Sequence, residues 1–148
     1  MKKIILVAAM VLGFAVAASA QPRAIGLHGG WGVELSYQHT LGENFVEAEL
    51  GLIGGAFSLT GIYNWMLATP QWTNKGEWGV YAGPGASAAV FKGGAAVAVA
   101  GRIGLEYTFE FPLQLSVDLT PQIGAAFVKG GGLYLNGFIP SLGIRYRF

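Results

Sequence analysis

The chain of 148 residues contains no cysteine, so it can form no disulfide and carry no lipid on an N-terminal cysteine. Charge is scarce. Only 11% of residues are Asp, Glu, Lys or Arg, against 53% hydrophobic, too few charges for the surface of a soluble domain of this size. Long hydrophobic runs are missing too. Beyond residue 20 no apolar stretch approaches the roughly 18 residues that a membrane-crossing helix needs. High hydrophobicity without a helical span points to a spanning sheet, because only helices and closed barrels satisfy every backbone group in lipid. The formal net charge of +1 offers no basic surface for nucleic acid. There is no low-complexity tract and no convincing internal repeat, and two histidines limit the acid–base chemistry available.

The first twenty residues form a separate unit. Lys2 and Lys3 make a positive start, residues 4–16 are almost purely apolar, and Ala18-Ser19-Ala20 supplies the small-x-small pattern of a cleavage site. This reads as a cleavable secretory signal peptide over residues 1–20, cut after Ala20, with Ala18 and Ala20 as the cleavage residues. An uncleaved membrane anchor is the other reading of the same stretch. Two of the nine basic residues leave with the signal, so seven then face eight acidic ones, net −1. The remaining 128 residues, 21–148, fit one domain.

That domain alternates. At the end of the chain Leu142, Ile144, Tyr146 and Phe148 form an apolar row, and Ser141, Gly143, Arg145 and Arg147 form a polar one. The same period of two predicts strands over 23–29, 33–40, 45–52, 56–67, 78–91, 95–109, 113–123 (extending towards 127) and 137–148. The facing of 78–91, rich in Gly and Ala, stays ambiguous. Eight strands put both chain ends on one side and leave short loops at 29–32, 53–56, 92–95 and 128–136 on the other. Phe45, Tyr63, Trp65, Trp78, Tyr107, Phe109, Tyr146 and Phe148 fall near strand ends on the side of the termini. Trp31, Phe57, Phe91 and Phe127 fall near the opposite ends. Two aromatic girdles result. Gly26, Gly51, Gly104 and Gly143 fall in inward rows, where a missing side chain leaves room for Arg and Glu.

The terminal strand ending in Phe148, the signal and the alternation together resemble the bacterial outer-membrane β-barrel proteins, specifically the outer-membrane protein β-barrel domain family. The Tyr37-Gln38-His39 run and the Gly104-Leu105-Glu106-Tyr107 segment look like features of small barrels from Bacteroides-like Gram-negative bacteria. The resemblance implies an all-β fold, a closed antiparallel eight-stranded up-and-down transmembrane β-barrel. It implies a place in the cell outer membrane, contact with outer-membrane lipid, and a monomer. It also implies that Tyr146 and Phe148 form the segment read by the barrel-assembly machinery.

The polar rows hold the candidates for chemistry. Glu34, Glu47, Glu49, Arg102, Glu106, Asp118, Arg145 and Arg147 all fall on inward faces. Hairpin counting places Asp118 near Arg102, and Glu106 and Arg145 in one layer with Glu47 and Glu49. Ionisable groups in so narrow a lumen must pair to offset their desolvation, so the expectation is a structural ion-pair network without an open pore. Catalysis by a Ser-His-acid set, as in barrel lipid hydrolases and acyltransferases, would have to use His28 and Ser36, and no compact constellation of that kind is visible. Glu47 and Glu49 alone are weak metal ligands, with no inward His joining them, and His28 reads as a hydrogen-bonded lumen residue. No cofactor motif is present. The expectation is therefore a non-enzymatic barrel with a structural or envelope-stabilising role. The alternatives are an outer-membrane lipid-modifying enzyme and a soluble periplasmic lipid-binding barrel whose apolar row would face inward. The loops are too short for an adhesin or receptor surface.

Overall fold

A computed structural model describes residues 2–4, 22–29, 32–53 and 55–148. Apart from residues 2–4, the expected signal peptide with Ala18 and Ala20 lies outside the described residues, as does Trp31. No described helix is long and apolar enough to cross a membrane, which says nothing of strands.

The strands are β1 (Pro22–Gly29), β2 (Val33–Leu41), β3 (Asn44–Ile53), β4 (Ala56–Ala68), β5 (Glu77–Phe91), β6 (Gly94–Thr108), β7 (Leu113–Leu119), β8 (Gln122–Phe127), β9 (Leu133–Asn136) and β10 (Ser141–Arg147). Each of β1 to β6 pairs antiparallel with its successor, β6 continues to β7, β7 to β10, and β10 closes on β1. The result is a closed antiparallel up-and-down barrel of eight staves. β7 with β8 makes the seventh stave and β9 with β10 the eighth.

The two broken staves differ from the sequence expectation, which ran 113 to 127 unbroken and began the last strand at 137. Prolines explain the breaks, because they give the ladder no donor. Pro121 separates β7 from β8, yet its carbonyl accepts from Gly101 N at 3.0 Å and keeps the stave against β6. Residues 137–140 separate β9 from β10 and end in Pro140. There Gly137 holds φ +87°, and a Cβ at that position would run into the carbonyl of Thr120. Part of the expected loop 128–136 is therefore strand β9, which pairs with β8 and with no other described strand.

The barrel is polar inside and apolar outside. Among the described residues fifteen polar or charged side chains are buried, against five hydrophobic ones, so burial of an apolar core is not what organises the interior. On β7, Leu115, Val117 and Leu119 are exposed while Gln114, Ser116 and Asp118 are buried. On β10, Leu142, Ile144 and Tyr146 are exposed while Gly143 and Arg145 are buried. The ambiguous strand, β5, turns Tyr81 inward and leaves Pro84, Ala86, Ala88 and Val90 exposed.

The aromatics at the end holding the chain termini form a touching series. Trp72, Trp78, Tyr107, Phe109 and Phe111 follow one another with centroid separations of 5.3, 4.8, 4.7 and 4.9 Å. Tyr146 and Phe148 stack edge to face at 5.3 Å, and the Phe148 amide donates to the Arg23 carbonyl at 3.0 Å. Phe45 is a correction. Its position in sequence predicts a place in this girdle, but it is fully buried in the lumen, edge-on to Tyr81 at 5.3 Å.

Candidate functional site

The inward charges occupy three levels. At the terminal end Arg23 pairs with Glu106 through both guanidinium nitrogens, one of them 3.2 Å from Oε2. Arg23 also donates to Gln38 and lies 3.9 Å above the Phe45 ring. Gln114 donates to the same Glu106 at 3.2 Å. Strict alternation along β1 would turn Arg23 outward, because Ala24 faces in. A register shift between Pro22 and Ala24 inserts one residue against β2 and turns both Arg23 and Ala24 inside.

The middle level is built around Glu47, which is fully buried. Ser36 Oγ donates to it at 2.5 Å, Gln38 Nε2 at 3.1 Å, Arg102 Nη1 at 3.0 Å, and Arg145 Nη2 also donates to it. Arg145 further donates to Ser36 at 2.8 Å and Ser116 at 2.7 Å. A Cβ on Gly143 would stand 2.9 Å from Cζ of Arg145, so this glycine leaves space for the guanidinium. Gly104 does the same for an aromatic ring. A Cβ there would lie 2.7 Å from Cε2 of Tyr81.

The third level lies towards the end opposite the termini. Arg102 reaches it from the middle, with Nη2 3.0 Å from Glu49 Oε2, Nε 2.8 Å from Thr120 Oγ1 and 3.6 Å from Asp118 Oδ1. His28 Nε2 sits 3.0 Å from Asp118 Oδ2, and Tyr81 donates to that oxygen at 3.2 Å. On the other side of the ring, His28 Nδ1 is 3.1 Å from Glu49 Oε1 and 3.8 Å from Glu34 Oε2. Neither Nδ1 nor Glu49 Oε1 has a hydrogen-bond partner among the described residues. Both residues line a cavity of about 260 Å³ together with Glu34, Thr60, Arg102 and Gln122.

The residues singled out from the sequence therefore fall as follows. Glu34, Glu47, Glu49, Arg102 and Asp118 gather in the middle and far levels, with Arg145 bridging to Glu47. Glu106 does not join the Glu47 layer, because Arg23 holds it lower down. Arg147 makes no ion pair within 4.0 Å among the described residues, and its buried Nη1 has no partner. The β1–β10 register sets it opposite Ala24, beside the Arg23 that already occupies Glu106. The expectation that no inward His joins the carboxylates is corrected as well: His28 stands against Glu49. Three residues escaped the sequence reading, Arg23, Phe45 and Tyr81. Only the last left a signal, as the one large side chain in the row Gly79, Tyr81, Gly83, Gly85.

Comparison of the chain with protein-family models, curated proteins and solved structures finds no match.

Proposed function

We propose that the chain is an integral outer-membrane β-barrel with a structural, envelope-stabilising role and a lumen closed by its own charges. The observation that carries this reading is the inversion of the barrel. Leu27, Leu35, Val99, Ile103, Leu142 and Ile144 are 49–67% exposed on the outer wall, while Glu47 and Arg145 are at most 1% exposed inside. In water such an outer wall is a cost and an aggregation hazard. In lipid it is the required surface. The aromatic series at the terminal end fits a membrane–water boundary, where rings with polar tips are favoured. Outer-membrane lipid is thus the main partner, and Tyr146 with Phe148 the segment offered to the assembly machinery.

The lumen supports a sealed barrel rather than a pore. Side chains just fill an eight-stranded barrel, and here Arg145, Glu47 and Arg102 link β10, β3 and β6 across it. A lipid-modifying enzyme finds less support: the polar partners of His28 among the described residues are Asp118, Glu49 and Glu34, with no serine hydroxyl among them.

The deciding experiment is membrane fractionation followed by electrophoresis of unheated and boiled samples. The expected result is an outer-membrane protein whose unheated form migrates faster, and no conductance steps in a planar bilayer. A soluble periplasmic protein without a heat shift overturns the reading and favours the lipid-carrier alternative. Deleting Phe148 should cut the heat-modifiable, membrane-assembled fraction several-fold. Normal assembly of the shortened chain removes the C-terminal segment from the argument.

A further inference from the structure

We propose that the far end of the lumen is a binding site for one divalent transition-metal ion, with His28 Nδ1, Glu49 Oε1 and Glu34 Oε2 as ligands. The inference goes beyond the envelope role and does not depend on it. Oxygens and nitrogen of these three side chains lie within 4.8 Å of one another. The two Nδ1 separations of 3.1 and 3.8 Å bracket the edge of about 3.4 Å expected between ligands held tetrahedrally at zinc bond lengths.

Three further observations point to a cation there. The first is the pair of orphaned atoms. His28 is 4% exposed and Glu49 2% exposed, yet Nδ1 and Oε1 face each other without a hydrogen bond. With the ring proton on Nε2 towards Asp118, Nδ1 would present a lone pair to that carboxylate oxygen of Glu49, an arrangement that is repulsive without a cation between them. A metal between them relieves the repulsion and does not require the straight N–H···O alignment that is missing. The second is the support behind the imidazole. His28 presents Nε2 to Asp118, which is held in turn by Tyr81 and Thr120. A carboxylate on the distal nitrogen fixes the tautomer that leaves Nδ1 free to ligate, and it raises the ligand's basicity. The third is charge. Glu34, Glu47, Glu49 and Asp118 face two guanidiniums, Arg102 and Arg145, in the joined middle and far levels. Two negative charges are left over before His28 is considered, and a divalent ion cancels them. Arg102, which lines the same cavity, shares Glu49 at 2.9 Å from Oε1 and so holds that carboxylate in place.

One imidazole and two carboxylates suit zinc or a similar first-row ion better than calcium or magnesium, which prefer all-oxygen sites. The adjoining cavity of about 260 Å³ gives room for water to complete the coordination and for entry from the far end.

The test is a zinc titration of the folded barrel in detergent micelles after chelator stripping, followed by calorimetry and by competition with a chromophoric chelator. It reads the site whether or not the chain resides in the outer membrane. One equivalent should bind at micromolar or lower concentration, with calcium and magnesium failing to compete at millimolar levels. His28→Gln should abolish stoichiometric binding, and Asp118→Asn should weaken it about 10–100-fold. Glu34→Gln is the variant least able to disturb folding, because Glu34 is partly exposed in the cavity wall and pairs with no guanidinium within 4.0 Å among the described residues; it should weaken binding at least about tenfold. His39→Gln, on the outward row of β2, should change nothing. No stoichiometric binding by the unaltered folded barrel overturns the proposal. Binding that survives both His28→Gln and Glu34→Gln, or that is lost with His39, overturns it too.

Discussion

From the terminal end to the middle of the lumen Arg23 meets Glu106, Arg145 meets Glu47, and the Phe45 and Tyr81 rings fill the space between strands. In the far half His28, Glu34 and Glu49 stand around open volume, with carboxylates outnumbering the cations that reach them. Arg and Glu line both halves. The difference lies in the sign of the charge left over and in whether the space beside it is filled: Arg147 is the surplus at the terminal end, carboxylates beside a cavity at the far end. Matched charges and packed rings lock staves together. Unmatched charges beside a cavity leave the chemistry of the site open to an ion from outside.

Substitutions can break or sharpen this contrast. The largest effect should come from Arg145→Met, which strips Glu47 of one of its two guanidiniums and leaves Ser36 and Ser116 without their donor. A loss of about 3–5 kcal/mol is expected, because an uncompensated buried charge remains. It would be read as a shift in the urea unfolding midpoint at unchanged slope; an unmoved midpoint would show that the terminal half is not locked by its ion pairs. Next comes Gly104→Ala. Its methyl group would enter the space of the fully buried Tyr81 ring, and overpacking of this kind costs about 1–3 kcal/mol. A neutral result would mean that Tyr81 can swing aside and that the ring packing is loose. The smallest effect should be Glu34→Gln in metal-free protein. It thins an excess of carboxylates at a partly exposed position, so stability should stay within about 0.5 kcal/mol or rise. A large loss there would place Glu34 among the locking charges and erase the distinction between the halves.

The alternation of Leu142, Ile144 and Tyr146 with Gly143 and Arg145 was legible from local order alone. Side chains on a pleated strand take opposite faces whatever surrounds them. The same reasoning set the number of staves and placed Glu47, Glu49, Arg102 and Asp118 inside. It failed where one residue breaks the period. The bulge between Pro22 and Ala24 turned Arg23 inward, and that unexpected guanidinium claimed Glu106 and left Arg147 without an ion pair among the described residues. It failed again at Pro121 and Pro140, where missing donors split the last two staves. The meeting of His28 with Glu49 and Asp118 needed more than period. His28 lies on β1, Glu49 on β3 and Asp118 on β7, and strands that are not neighbours approach only once closure and stagger bring their inward rows to one height. The sequence by itself determined which face each side chain of a regular strand takes, because the pleat is a local property. Only the closed barrel decided which of those side chains touch, because contacts across the lumen depend on the register of every strand between them.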